Sequence, residues 1–344
     1  MEITTIGIDL AKSVFQVHGV DHEGAVVVRK QLRRRQVLSF FQDLPPCLIG
    51  MEACASAHHW ARELIAYGHE VKLMPPSYVK PYVKRSKTDA ADAAAICEAV
   101  TRPTMRFVPI KSAEQQSVLL LHRTRSLLMR QRTMTVNALR AHLAEFGIVA
   151  AQGRKAFADM ISSLFEDGDV TDAQGLPALA HRTLEPLARQ VMEIDQKILE
   201  LEKELRLWHR KNENSQRLET IPGIGFLSAT AIAATVTDPA HFKSGRQFAA
   251  WLGLTPRENS SGGKRQLGRI SKQGDRYLRT LLVVGATSVI RYARKKNADK
   301  APWINGLLAR KPARLVSVAL ANKTARIVWA VLSKKENYQH PVPA

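Results

Sequence analysis

Four carboxylates early in the chain have the types and spacing to hold a divalent cation. Asp9 closes the apolar run Ile6-Gly7-Ile8, and Glu52 closes the run Cys47-Leu48-Ile49-Gly50-Met51. Short apolar runs of this kind read as buried strands, which puts each acid at a strand tip. Asp89 and Asp92 lie three apart in Lys87-Thr88-Asp89-Ala90-Ala91-Asp92-Ala93-Ala94-Ala95, a helical stretch that places both on one face. Acids that converge on a small volume repel one another unless compensated. A hard divalent cation, most simply Mg²⁺, resolves that repulsion with oxygen ligands. In a basic chain the constellation points to metal-assisted cutting of a phosphodiester.

A second group of residues lies far along the chain. Ser260 and Ser261 sit on a Gly-rich loop flanked by Arg257, Lys264, Arg265 and Arg269, with Lys272, Arg276 and Arg279 following. Glycines let a backbone approach another chain closely, and the cations suit a scissile phosphate. A serine hydroxyl held there can attack phosphorus and form a covalent phosphoserine link to DNA. The residues alone leave open a plain flexible loop, since Ser-Ser-Gly-Gly is common in such loops. Upstream, Ile221-Pro222-Gly223-Ile224-Gly225 between two apolar segments resembles a helix-hairpin-helix turn. In that motif Gly223 and Gly225 leave backbone N–H groups at a helix N-terminus, where they can meet a phosphate oxygen of DNA, and such turns also join helices for purely structural reasons.

The elements that must position these residues follow from periodicity. Thr4 to Leu10, Ser13 to Val20 and Ala25 to Gln31 read as strands, Gln36 to Leu44 as a helix and Cys47 to Met51 as a buried strand. A helix from His58 to Tyr67, ended by Gly68, and a strand from Glu70 to Met74 complete the order of a ribonuclease H-like α/β fold. Residues 112 to 146 predict a long helix with a basic face formed by Arg123, Arg125, Arg130, Arg132 and Arg140, and residues 150 to 183 a connector or a small insertion. Leu184, Leu187, Val191, Ile194, Ile198, Leu201, Leu205 and Trp208 step by three and four, as in a coiled-coil seam. A long helix packed on its own domain has the same periodicity.

The formal charge of +20 indicates a polyanionic partner. From Lys243 to Lys335 there are 21 Lys and Arg against three acids, a net of +18, so nearly the whole excess lies in the last third. These charges are scattered among glycines and short apolar segments, which favours nucleic acid over a membrane surface. Leu281 to Ala286 is far too short to span a bilayer. Met1-Glu2-Ile3-Thr4-Thr5 lacks the regions of a signal peptide, so a cytoplasmic location is expected. Cys47, Cys54 and Cys97 have no metal-knuckle spacing, and an odd, sparse count argues against a disulfide framework.

Taken in order, Ile8-Asp9-Leu10-Ala11-Lys12, Met51-Glu52-Ala53, Lys87-Thr88-Asp89-Ala90-Ala91-Asp92-Ala93, Ile221-Pro222-Gly223-Ile224-Gly225, and Gly253-Leu254-Thr255-Pro256 through Ser261-Gly262 to Ile270-Ser271-Lys272-Gln273-Gly274 form a set. The set resembles the DEDD-type transposases of bacterial insertion sequences, relatives of the Piv-type DNA invertases and now called bridge-RNA recombinases. The resemblance runs over about residues 3 to 333. It implies a RuvC-like, ribonuclease H-like domain with a helical extension over 1–149, a connector and coiled coil over 150–212, a mainly helical transposase domain with the helix-hairpin-helix over 213–335, and a tail over 336–344. It implies Asp9, Glu52, Asp89 and Asp92 as ligands of Mg²⁺. By the Thr-Pro and Ser-Gly landmarks it places the nucleophile at Ser261, with Ser260 its neighbour, joined in the reaction to a DNA 5′ phosphate. Donor and target DNA, an element-encoded noncoding RNA that pairs with both, and a homo-oligomer built as a dimer of dimers are the implied partners. The coiled coil would be the dimer joint, and each active site would combine the acidic domain of one subunit with the serine domain of another. Two other functions use the same residues: a junction-resolving nuclease in which water attacks, and a nucleic-acid-binding protein without catalysis.

Overall fold

A computed structural model of the chain describes residues 2–84, 88–165, 176–296 and 302–339. Lys87 of the acidic motif, residues 166–175 of the connector and residues 340–344 of the tail lie outside that set. The chain divides into two compact units, Met1–Gln116 and Ser117–Ala344.

The first unit is built on β1 (Thr5–Leu10), β2 (Val14–Val20), β3 (Val26–Arg33), α1 (Val37–Gln42), β4 (Leu48–Glu52), α2 (Ala57–Ala66), β5 (Glu70–Met74), the short α3 (Pro76–Val79) and α4 (Asp89–Val100). The five strands form one sheet in the order β3-β2-β1-β4-β5. β1, β2 and β3 pair antiparallel, while β1–β4 and β4–β5 are parallel. Each expected strand is present, with ends shifted by a residue or two. The mixed pattern follows from the connections. Tight turns join the first three strands, whereas helices α1 and α2 carry the chain across to β4 and β5. Ile6, Ile8, Phe15, Val17, Ile49, Met51 and Leu73 form the core together with Phe41, Trp60 and Leu64 of the helices.

The second unit begins on α5 (Ala113–Ala144), whose first turn contains the division, and continues through α6 (Arg154–Phe165) and α7 (Ala178–Lys211). The basic face expected on α5 is split three ways. Arg125 contacts Glu202 at 2.6 Å and Arg132 contacts Asp195 at 2.7 Å, both on α7. Arg140 stacks over Phe157 at 5.1 Å, and Arg123 and Arg130 remain exposed. Seven residues forward on α5 match seven back on α7, so the two helices run antiparallel. The heptad stripe of α7 faces inward through Leu184, Val191, Ile194, Ile198 and Leu205. Leu184 and Val191 share a cluster with Leu139 and Leu143 of α5 and with Phe157 and Ile161 of α6. The stripe is therefore buried within the chain, as a long helix packed on its own domain would be. The side chains on this stripe contribute roughly 2 kcal/mol each by burial.

The rest is mainly helical: α8 (Glu213–Glu219), α9 (Phe226–Thr235), α10 (Gly245–Trp251), a two-stranded hairpin β6 (Pro256–Glu258) and β7 (Leu267–Ile270), then α11 (Arg276–Lys296), α12 (Pro302–Leu308) and α13 (Ala313–Lys334). α13 is long and apolar enough to cross a membrane by length and composition. Its apolar stripe, Ala321, Ala325, Val328 and Leu332, lies instead in the core with Leu218, Ile232, Phe248 and Leu282.

His122 of α5 links this core to the start of α11. It is 1% exposed, with Nε2 3.0 Å from Thr230 Oγ1 and Nδ1 3.0 Å from the Tyr277 hydroxyl. Thr230 already donates its proton to the Phe226 carbonyl, so it accepts from Nε2–H and Nδ1 accepts from Tyr277. Burial, with Arg125 nearby, lowers the pKa from 6.5 to about 4. The unfolded chain therefore takes up this proton before the folded one does. Stability is complete above the unfolded value of 6.5 and falls as the pH drops toward 4. The expected loss reaches roughly 3 kcal/mol. Urea unfolding followed across that range should show the decline in the parent, and His122→Gln should flatten it.

Candidate functional site

Asp9, Asp89 and Asp92 each place one carboxylate oxygen within 4.8 Å of the others. Local structure explains how. Gly7 and Asp9 point to the same side of β1, two residues apart. α4 presses on that side so closely that a Cβ on Gly7 would lie 2.2 Å from the Ala93 carbonyl oxygen and 2.4 Å from the Cys97 nitrogen. Gly50 on β4 makes the same room, where a Cβ would meet Val100 at 2.8 Å. From those contacts α4 runs back toward the strand tips, and one turn before Ala93 it carries Asp89. Thr88 starts the helix by accepting the Ala91 N–H at 3.2 Å. Alanines at 90, 91, 93, 94 and 95 favour helix and keep the packed face thin.

Glu52 is not one of the three clustered acids. The parallel register pairs Ile8 with Met51, so Glu52 ends the neighbouring strand level with Asp9, about 4.8 Å away between strands. All four acids are half-buried or exposed. The donors are carboxylate oxygens, which fits a hard divalent cation and not a soft one. The nearby thiol of Cys97 is no competitor. It faces the Thr5 carbonyl at 3.7 Å, and burial pushes its pKa up to about 11.

Ser261 sits in the second unit at the tip of the β6–β7 hairpin. Lys264 N–H donates to the Ser261 carbonyl at 3.1 Å, and Gly262 and Gly263 between them have φ of 56° and 75°. Two successive positive φ values are what a two-residue hairpin turn of the primed type requires, and glycine supplies them without strain. The two serines differ. Ser260 Oγ donates to Glu258 at 2.9 Å and accepts from the Gln266 N–H at 3.2 Å. Ser261 is exposed, and among the described residues its hydroxyl has no hydrogen-bond partner.

The stem of the hairpin is fixed where the chain crosses itself. A Cβ on Gly274 would lie 1.9 Å from the Trp251 carbonyl oxygen, and one on Gly253 2.2 Å from that of Gln273. Arg279 clamps the crossing by donating to the Leu252 and Gln273 carbonyls, each at 2.9 Å. Both bonds come from Nη1, a backbone-holding role beside the phosphate contact expected of it. Arg257 donates to the Ser271 carbonyl at 3.2 Å, and Arg265 lies 3.5 Å from Glu258. Lys264, Arg269, Lys272 and Arg276 are exposed.

The two turn glycines separate as well. Gly223 is packed against α11, where a Cβ on Gly285 would lie 2.0 Å from the Gly223 carbonyl oxygen. Gly225 caps α9 with nothing within 4 Å of its Cβ position. Sequence reasoning passed over Gly7, Gly50 and Asp275. A signal for the first two was present, since Gly7-Ile8-Asp9 and Gly50-Met51-Glu52 each set a glycine two residues before the acid. Asp275 accepts the N–H groups of Tyr277 and Leu278 at 2.7 and 3.0 Å, capping α11 beside the stem.

The family model for the transposase IS116/IS110/IS902 family matches residues 215–301, and a transposase model of the DEDD IS110 type matches residues 6–148. The chain is 51% identical over 340 residues to a probable family 20 transposase of Pseudomonas aeruginosa, covering 98% of this chain and 99% of the relative. It is 39% identical over 338 residues to the transposase for insertion sequence element IS1111A of Coxiella burnetii, with 98% and 92% covered. A pilin gene-inverting protein of Moraxella bovis is a more distant match, 22% identical over 356 residues and 98% of each chain. The matches cover both constellations, and the chain belongs to the IS116/IS110/IS902 transposase family.

Proposed function

We propose that the chain is the transposase of a bacterial insertion sequence that cuts and rejoins DNA through a covalent phosphoserine, using Mg²⁺. The observation that carries this reading is the convergence of Asp9, Asp89 and Asp92, three acids from a strand tip and a helix start. The order β3-β2-β1-β4-β5 supports a ribonuclease H-like first domain, and the α8–turn–α9 segment a helix-hairpin-helix. When bound, Mg²⁺ supplies positive charge beside the scissile phosphate. Asp9, Asp89 and Asp92 hold it, with Glu52 alongside.

The remaining steps belong to the chain. Ser261 Oγ gives up its proton and attacks phosphorus, the bond from phosphorus to the 3′ oxygen breaks, and the departing 3′ oxygen takes up a proton to become the 3′ hydroxyl. The 5′ phosphate stays on Ser261. A 3′ hydroxyl of a partner strand then attacks that phosphoserine and releases the serine. One ester bond is exchanged for another at each step, so no ATP is consumed. Lys264, Arg265, Arg269, Lys272 and Arg276, with the backbone N–H groups after Gly225, grip the phosphates on either side. Gly223 supports that turn through packing. An element-encoded RNA that pairs with donor and target, and a dimer of dimers acting in the cytoplasm, complete the reading.

The free hydroxyl of Ser261, against the committed one of Ser260, favours Ser261 as nucleophile. Adduct mapping tests this. The full chain is incubated with element-end DNA and Mg²⁺, denatured, and digested with nuclease and protease. A phosphorylated peptide with the modification on Ser261 is expected. Cut DNA with no protein attached would replace the serine with water and favour the junction-resolving nuclease.

A further inference from the structure

The cations assigned to DNA above all lie in the second unit, yet the first unit carries an uncompensated group of its own. We infer that Lys12, Arg33, Arg34 and Arg35 form a further contact surface for the phosphate backbone of the substrate DNA, next to the acid cluster. This rests on the reading that the chain acts on DNA.

Residues 29 to 35 contain five cations and no acid. Four cations converge in space: Lys12, Ser13, Val14, Arg33, Arg34 and Arg35 line one concavity of about 410 Å³. The convergence is built by the backbone. Val14 pairs with Arg33 across the β2–β3 ladder, and the Arg34 N–H donates to the Ser13 carbonyl at 3.0 Å. Arg34 is held by aromatic rings, its guanidinium 5.1 Å from the centre of Trp60 and 5.9 Å from that of Phe15. Among the described residues, none of the four cations makes an ion pair with a carboxylate. Arg62, Arg125, Arg132 and Arg217, by contrast, all have protein acceptors. The four cationic residues line one hollow with no carboxylate among them, and a polyanion relieves the repulsion between their charges.

Charges on an edge strand also block pairing with other chains, and β3 is an edge. Arg29 and Lys30 on the strand suffice for that. Edge protection does not account for Lys12, on a different turn, or for Arg34, folded over an aromatic ring. Position selects the ligand. Lys12 follows Asp9 by three residues, which limits their Cα separation to about 11 Å. A DNA strand with one phosphate at the acids reaches this surface with its neighbouring phosphates.

The test uses the full chain and the variant Lys12→Gln/Arg33→Gln/Arg35→Gln, which keeps Arg34 on its rings. Binding of a labelled mixed-sequence DNA duplex and of a labelled RNA hairpin is titrated across salt. The expected result on DNA is a salt dependence shallower by about 2 to 3 in the log–log slope, with the melting temperature unchanged. Lys12→Gln alone should remove about one unit and stands in if the triple variant is unstable. An unchanged DNA slope beside a steep parental one overturns the inference, as does a loss confined to RNA. A parent with no salt-dependent DNA binding overturns the DNA-acting reading itself.

Discussion

Asp9→Asn is expected to lower Mg²⁺-dependent DNA cleavage by on the order of a thousandfold, about 4 kcal/mol of barrier. The apo protein should melt at the same temperature or higher. The two effects share one cause. Three carboxylate oxygens within 4.8 Å of one another are mutually repulsive until a cation joins them. Asparagine has the shape of aspartate without its charge, so it relieves the repulsion and weakens the site together. Mg²⁺ should raise the melting temperature of the parent, because a ligand that binds only the folded state stabilises it. That rise should vanish in the variant.

Asp92→Asn separates this account from a blander one. Acids in the first turn of α4 also complement the helix dipole, worth about 0.3 to 1 kcal/mol each. If that were the whole role of Asp92, its loss would slightly lower the apo melting temperature, and cleavage and the Mg²⁺ response would be untouched. Scanning fluorimetry with and without Mg²⁺, beside a cleavage assay, decides between the two. Normal cleavage by Asp9→Asn would end the metal reading.

Much of this was legible in the sequence because the physics is local. An apolar run ended by an acid identifies a strand tip at Asp9 and at Glu52, and Thr88 before an alanine-rich stretch identifies the start of α4. The succession of strands and helices along the first unit followed from spacing in the same way. Periodicity describes a face but not what covers it, so Leu184 to Leu205 appeared as a seam without revealing that α5 and α6 occupy much of it. Arg125 and Arg132 looked like a solvent-facing basic stripe for the same reason, since their partners Glu202 and Asp195 are at least 63 residues away. Gly223 and Gly225 are the same residue type two positions apart, and only tertiary packing separates a glycine pressed on Gly285 from one open at a helix start. Ser260 and Ser261 needed the fold too, because Gln266 reaches back across the hairpin to bind one and not the other.

Gly7→Ala should destroy the metal site without touching an acid. The new methyl carbon would sit 2.2 Å from the Ala93 carbonyl oxygen, 2.4 Å from the Cys97 nitrogen and 2.8 Å from the Cys97 Cα. All three are backbone atoms, so no rotamer change relieves the clash and no shortened neighbour can rescue it. α4 has to move away from β1 by roughly 1 Å to restore ordinary contact. Asp89 and Asp92 ride on that helix, while Asp9 stays on the sheet. Overpacking of this kind costs about 1 to 3 kcal/mol, and a shift of about 1 Å in a catalytic group costs about a hundredfold in rate. The variant should therefore melt lower, lose its Mg²⁺-induced stabilisation, and cleave DNA at least about a hundredfold more slowly. Gly19→Ala is the control in the same sheet. Its methyl would meet the side chains of Ile3, Ile6 and Val28 from 3.3 Å outward, which can give, and both stability and Mg²⁺ response should stay close to the parent. A Gly7→Ala protein that still responds fully to Mg²⁺ would mean that α4 does not need this close seat on β1 to bring the acids together.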